Sequence, residues 1–354
     1  MTKAELDSIK ILPLEDSWYR KVKEKLDGIA KPLDGLGKFE HLIAQIGAIE
    51  KTTKISIQKK AVLVMCADNG VVEEQVSQSG KEVTLAVAKA MGVNNSSVGK
   101  MAAVAGVDVI PVDIGIDTDE VIPGVLPRKV AKGTKNFAKE PAMTEEEVLK
   151  AIETGIQLVQ QCHREGYEIL ATGEMGIGNT TTSTAVAAAL LDLAVEQVTG
   201  KGAGLTDEAL KRKCRVIKEA IEKYSLRDAD AFTILKTVGG LDIAGLTGVF
   251  IGAAIEQIPV IIDGVISAVA ALLTETLCKG AVNYMIPSHK SRELAETAIM
   301  KKLHLDPVLD ADMALGEGTG AVMMMSLLDV ALGVYLQGAS FANFEIEQYK
   351  RYEE

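Results

Sequence analysis

Glu317 stands between glycines in the stretch Leu315-Gly316-Glu317-Gly318-Thr319-Gly320-Ala321, just ahead of an apolar, methionine-rich segment. Glycine reaches backbone conformations closed to other residues and lets a ligand approach the main chain, so this setting suggests a presented carboxylate. The same spacing also fits a flexible loop carrying a solvated Glu. It does not fit the dinucleotide fingerprint G-x-G-x-x-G, because the third glycine comes one residue early and an acid sits where phosphates would approach. A second stretch, Gly173 to Ser183 (GEMGIGNTTTS), is a glycine-rich turn feeding a helix predicted to begin near Thr180. Free backbone amides and the positive end of a helix dipole make such a turn an anion site, and Asn179 with the following threonines adds side-chain donors. No G-x-x-x-x-G-K-[ST] phosphate loop occurs, which removes the main support for an ATP-hydrolysing enzyme. A third turn, Gly200-Lys201-Gly202-Ala203-Gly204-Leu205, precedes a helix carrying Lys211, Arg212 and Lys213, and can close on the same anion. Lys213 reads equally as an ordinary solvated helix charge.

These turns need elements to position them. Ala61 to Ala67 (AVLVMCA) is a short apolar run ending in Asp68-Asn69-Gly70, as in a strand buried on both faces. The figure recurs at Val107 to Val112 before Asp113, Glu168 to Thr172 before Gly173-Glu174, Ile258 to Ile262 before Asp263-Gly264, and Tyr284 to Pro287 before Ser288-His289. Between the runs lie helical segments, one opened by the capping box Thr144-x-x-Glu147 and reaching about His163, another capped by Asp228 and ended by Gly239-Gly240. The alternation predicts an α/β fold: a doubly wound, mostly parallel sheet with helices on both faces. Ligands in such sheets bind beyond the carboxyl ends of the strands, which would line up Asp68, Glu174, Asp263, Ser288 and His289 along one rim. Each taken singly also reads as a turn former or helix cap. The first fifty or so residues read as helices anchored by Trp18 and Leu26 and broken at Lys31 to Gly37. Ala321 to Leu336 should be a buried helix, packed on the chain's own core or on a second subunit, and the tail beyond Phe344 a solvated helix end.

A chain of 354 residues can bury a large core, as one large domain or two smaller ones. Its net charge of -11 offers no global positive field for a nucleic-acid backbone, so a phosphate ligand must be held locally. Four cysteines without C-x-x-C spacing point to the cytoplasm, and the amino terminus lacks a signal pattern. No uninterrupted apolar run is long enough to predict a membrane span. The four histidines are scattered, so no structural metal is predicted.

ADNGVVEEQVSQ at 67 to 78, GEMGIGNTTTS at 173 to 183, GKGAGL at 200 to 205, VGGLDIAGLTG at 238 to 248, IIDGVIS at 261 to 267, PSHKS at 287 to 291 and LGEGTGA at 315 to 321 occur in this order. Together they resemble the nicotinate-nucleotide-dimethylbenzimidazole phosphoribosyltransferase family, over nearly the whole chain. The resemblance implies transfer of a phosphoribosyl group from nicotinate mononucleotide to an aromatic base, giving the alpha-ribotide of a cobamide lower ligand. It implies no metal or organic cofactor. It implies a large substrate-binding domain (56 to 324), a small helical domain from both chain ends (1 to 55 and 325 to 354), and a dimer, either of identical chains or with a homologous one. Glu317 matches the family's catalytic glutamate, a general base for the proton that leaves the acceptor. Glu174 and Asp263 are candidates for ribose hydroxyls or for developing positive charge. Gly176, Asn179, Thr180, Gly202, Gly204 and Lys213 would hold the phosphate, with Ser291 near the nucleotide and Ser79 and Leu315 in the acceptor pocket.

Departures from the family pattern cluster at that pocket. Gln75 stands where glycine is usual, and Val87 aligns with a glutamine of some benzimidazole-using members, removing a possible hydrogen bond to an azole nitrogen. The acceptor therefore stays open among a benzimidazole, a purine and a phenol. A non-catalytic partner subunit, with Gln75 filling the pocket, is one alternative. A nucleotide-linked dehydrogenase is another, and Asp68-Asn69-Gly70-Val71 lacks the fingerprint it needs.

Overall fold

The computed structural model describes residues 1–202 and 204–351. Six strands, β1 (Lys60–Ala67), β2 (Val107–Gly115), β3 (Leu126–Pro127), β4 (Ile169–Met175), β5 (Val260–Ile262) and β6 (Met285–Pro287), form one sheet in the order β3-β2-β1-β4-β5-β6. Every pairing is parallel. Parallel pairing demands crossovers, and helices cover both faces, so β1 is buried at every residue. Its side chains divide by the two-residue period: Ala61, Leu63, Met65 and Ala67 enter one apolar core, while Val62, Val64 and Cys66 enter the other.

On the first face, the helix Glu145–Arg164 crosses the helix Leu241–Glu256 at glycines. A Cβ on Gly155 would fall 2.6 Å from Val249 N and 2.7 Å from Gly248 C, so the two backbones touch with no room for a side chain. The capping box of the Glu145–Arg164 helix forms as predicted, with Thr144 Oγ1 accepting from Glu147 N at 3.2 Å. Asp228 does not cap its expected helix. That role falls to Asp230, which accepts from Thr233 N at 2.9 Å, while Asp228 ends a short 3-10 turn.

On the second face, Asp16–Asp27, Lys38–Ile49 and Thr319–Gln337 pack against each other and the sheet. Val22 and Leu26 are the buried anchors of the first of these; Trp18 is only half-buried, its ring covered by Lys21 Nζ at 3.9 Å. The Thr319–Gln337 helix, contrary to the expectation from uninterrupted apolar runs, is long and apolar enough to cross a bilayer by length and composition. Its apolar residues Ala321, Val322, Met324, Met325, Leu328 and Tyr335 instead fill this core, and Lys60 Nζ reaches its Asp329 at 2.7 Å. One side stays exposed at Met323, Val330 and Leu336, so the helix is not buried all round.

The tail differs from expectation. Phe341–Phe344 is a 3-10 turn and residues 345 to 351 are not helical; the last three residues of the expected helix lie outside the described residues. Arg351 pairs at 2.7 Å with both Asp27 and Asp34. Arg351 and Lys23 together hold the Asp34 carboxyl well below the usual carboxylate range. Glu40 behind them takes Lys23 and Lys31 at 2.9 and 2.6 Å, so this acidic group is already filled by cations of the chain itself.

Candidate active site

Strand order reverses around β1, between β2 and β4, and a cavity of about 310 Å³ opens beyond the carboxyl ends of β1, β4, β5 and β6. Each strand contributes its carboxyl end or the segment that follows it. From β1 come Val76, Ser77 and Gln78; from β4, Glu174 to Thr180; from β5, Asp263 to Ser267; from β6, His289, Ser291 and Glu293. Lys201, Gly202, Leu205 and the Ala314 to Glu317 turn close the rim.

Glu317 reaches this cavity through a turn of unusual handedness. Gly316, Glu317 and Gly318 have φ of 86°, 61° and 91°, three successive left-handed residues of which only the middle one carries a side chain. The turn lies directly on β4: a Cβ on Gly173 would stand 2.6 Å from the Glu317 carbonyl oxygen. From there Glu317 Oε2 accepts from Val98 N at 3.0 Å, in the first turn of the helix Ser97–Ala105. The partial positive charge of that helix end fixes the carboxylate at the rim.

Behind Glu317 lie three buried carboxyls, with no cation beside them among the described residues. Glu174 is not after β4 but inside it, and burial, then the neighbouring Asp242, push its carboxyl up to about 8 against the Asn179 hydrogen bond. Asn179 Nδ2 donates to Glu174 Oε2 and, at 3.0 Å, to Asp242 Oδ2. Burial raises Asp242 to about 6 and Asp263 to about 7. Asp263 is 2% exposed, and its two oxygens accept from Ala321 N at 3.0 Å and Gly318 N at 3.2 Å, so it ties the start of the Thr319–Gln337 helix to β5. It lines the cavity, but as the anchor of the Glu317 turn.

The glycine turn after β4 leads into the helix Asn179–Leu191, as the sequence predicts. Lys213 is not a solvated charge: it is fully buried, its Nζ donates to Thr180 Oγ1 at 3.0 Å, and burial lowers its ammonium to about 8. Gly202 lines the cavity beside it; Gly204 is left-handed (φ 99°) and sets back from the lining. Ser291 lines the opposite wall.

The acceptor residues are brought together only in part. Leu315 lines the cavity and is more than half exposed at its edge. Gln75 does not enter: the residue is exposed and left-handed, and its Oε1 accepts from Arg212 Nη1 at 2.9 Å. Val87 packs toward the second core from the helix Glu82–Gly92, and Ser79 also lies outside the lining. Asp68 is off the rim as well; its Oδ2 accepts from Asp117 N at 2.8 Å, on the β2 side.

Two cavity neighbours went unnoticed in the sequence. Asp242 lies inside the quoted stretch VGGLDIAGLTG, where an acid in an otherwise apolar helix was the available signal. Glu293 had none. Its Oε1 accepts from Gly202 N at 3.0 Å and its carboxylate rests on Gly200, in the turn expected to hold phosphate.

A family model described as Phosphoribosyltransferase matches residues 11–346. The chain is 43% identical over 337 residues to the nicotinate-nucleotide--dimethylbenzimidazole phosphoribosyltransferase of Clostridium acetobutylicum, covering 95% of this chain and 96% of that one. It is 45% identical over 329 residues to the protein of the same name from Acetivibrio thermocellus, covering 93% and 94%. Among solved structures it is similar to CobT from Thermus thermophilus, with a TM-score of 0.89 and 33% identity over 94% of this chain and 100% of that one.

Proposed function

Because the chain belongs to the nicotinate-nucleotide-dimethylbenzimidazole phosphoribosyltransferase family, we propose that its cavity transfers the phosphoribosyl group of nicotinate mononucleotide to an aromatic base, with Glu317 as the proton acceptor. The observation that carries this reading is the placement of the Glu317 carboxylate at the rim, across a row of buried acids from the amide- and lysine-lined turn at Asn179, Thr180 and Lys213.

The donor's phosphate lies on the amino end of the Asn179–Leu191 helix, with Gly176, Thr180, Gly202 and Lys213 around it. Its ribose and cationic pyridinium then extend over Glu174 and Asp263. The glycosidic bond breaks with its electron pair going to the pyridinium nitrogen, whose ring becomes neutral and leaves as the nicotinate anion while positive charge develops at the anomeric carbon. The acids beneath stabilise that charge, and the approach of a cation favours their ionised forms. The acceptor's nitrogen or hydroxyl oxygen attacks from the opposite face, turning the beta linkage into alpha, and its proton passes to Glu317. The apolar rim of Val76, Met175, Ile177, Leu205 and Leu315 suits a flat aromatic base. With Val87 and Gln75 outside the lining, no side chain the sequence singled out dictates one azole over a phenol. Four unpaired thiols fit a reducing compartment such as the cytoplasm.

A transfer assay with the purified chain alone, offering nicotinate mononucleotide with dimethylbenzimidazole, adenine and phenol in parallel, tests the reading. Formation of an alpha-ribotide supports it. Its absence with every acceptor, from a folded chain that still binds the nucleotide, would favour the partner-subunit alternative. A second expectation concerns Glu293, whose carboxylate occupies a backbone amide of the phosphate turn and must be displaced. Glu293→Gln should tighten nicotinate mononucleotide binding by roughly 3- to 10-fold, because like-charge repulsion at that turn is removed. Calorimetric titration reads this directly, and weaker binding by the variant would count against phosphate at Gly202.

A further inference from the structure

Outside the Glu317 cavity, the chain buries a carboxyl that no cation accompanies among the described residues. Glu296 lies in the first turn of the helix Leu294–Leu303 and is 1% exposed. Its Oε2 accepts from Ser291 N, and among the described residues its Oε1 has no hydrogen-bond partner. Burial pushes this carboxyl up to about 8 against the Ser291 hydrogen bond, and Asp263 adds to the rise. A buried carboxyl oxygen left unpaired is costly unless something from outside the chain donates to it.

Glu296 lines a second cleft, of about 230 Å³, none of whose lining residues lines the Glu317 cavity. Thr297, Met300 and Lys301, one face of the helix by their three- and four-residue spacing, form one wall, and Leu305 and Pro307 form the other. Both walls are pinned. Leu305 N donates to Met300 O at 2.9 Å, and Lys38 Nζ donates to Pro307 O at 2.7 Å. Two lysines reach the cleft but leave Glu296 alone: Lys290 faces Asp310 at 3.5 Å, and Lys301 is exposed, where water and salt screen its charge.

We infer that this cleft binds a small apolar molecule carrying a primary amine, whose ammonium pairs with Glu296 while its body lies between Met300, Leu305 and Pro307. An ammonium brings both the charge and the N–H donors that the carboxylate lacks, and the resulting charge-assisted bond is stronger than an alcohol could make. One carboxylate among apolar side chains offers too few oxygens for a calcium or magnesium ion, which takes six or so. A dry cavity of about 150 Å³ already holds benzene, so this volume suits one ring with an amine on a short stem.

The cleft is distinct from the site of transfer but adjoins it through one residue. Ser291, whose amide Glu296 holds, lines the Glu317 cavity, so the same short segment forms a wall there and a hydrogen-bond donor here. As the ammonium docks, the carboxyl gives its proton to solvent and keeps the Ser291 bond in its stronger, ionised form.

The test is an NMR titration of the full chain, isotopically labelled at its methionine methyls, with benzylamine and benzyl alcohol. Met300 reports the cleft and Met175 reports the Glu317 cavity. Benzylamine should shift the Met300 methyl and bind there about 10-fold tighter than benzyl alcohol. Glu296→Gln should reduce benzylamine binding about 10-fold and leave benzyl alcohol within roughly twofold, as expected for a lost charged acceptor. Thr297→Trp, at an exposed position on the cleft wall, should weaken both ligands while leaving the buried carboxyl in place. Equal affinities for amine and alcohol in the native protein would overturn the site. So would benzylamine binding unchanged in Thr297→Trp, or unchanged in a Glu296→Gln protein that melts like the native one, and so would a titration that moves Met175 and leaves Met300 still. None of these readouts requires turnover: amine binding without ribotide formation removes the transfer reading and keeps the site, and ribotide formation without amine binding does the reverse.

Discussion

Glu317→Gln is expected to lower phosphoribosyl transfer by ~100- to 10,000-fold, the usual range for loss of a general base. The variant keeps the shape of the turn and an oxygen able to accept from Val98 N, so the contact that fixes the native carboxylate at 3.0 Å survives. It loses only the capacity to take a proton. Single-turnover transfer should therefore collapse while nicotinate mononucleotide binds with nearly native affinity and the melting temperature stays put. Near-normal transfer would remove Glu317 from the reaction. A loss of nucleotide binding in parallel would mean that the carboxylate positions the donor.

The second large effect is on stability against pH. Glu174, Asp242 and Asp263 are carboxyls whose folded-state values are raised, to about 8, 6 and 7. Burial is the first cause for each, and among the described residues no cation sits beside them. Between the ordinary carboxylate range and these values the folded chain holds more protons than the unfolded chain, so stability falls as pH rises through that window. The ligand-free protein should melt lower at pH 8.5 than at pH 5.5, by on the order of 5 °C or more. Asp242→Asn should flatten the dependence, since the amide keeps the contact with Asn179 and cannot ionise. Thermal melts across this range decide it; a midpoint that rises with pH would show that the acids are ionised and compensated by groups not identified in the cavity.

The sheet was legible because each strand announces itself twice, by an apolar run and by the polar turn that ends it. Strand ends were less so. Asp113 and Glu174 read as the residues after β2 and β4 but lie within them, since a parallel ladder continues wherever its neighbour offers partners. Leu126–Pro127 is a strand only because β2 runs far enough to pair with it at Val112 and Asp113. The glycine turn after β4 was readable as the start of a helix from local chemistry alone. Gln75 was not readable: nothing in its neighbourhood along the chain foretells that Arg212, 137 residues away, draws its side chain out of the pocket. Glu293 escaped for the same reason: its significance lies in what stands opposite it, an amide of Gly202.

The left-handed turn at residues 316 to 318 carries a further consequence. An L-residue in that conformation costs about 1 kcal/mol relative to glycine, and here it sits between two glycines that adopt the conformation freely. Folding alone would favour glycine at position 317 as well. A homologous chain relieved of chemistry, and kept only for assembly, would therefore drift toward glycine there and gain thermal resistance as it did so. On the proposed role of Glu317 as proton acceptor, the identity of that one residue would divide copies selected for turnover from copies selected for shape.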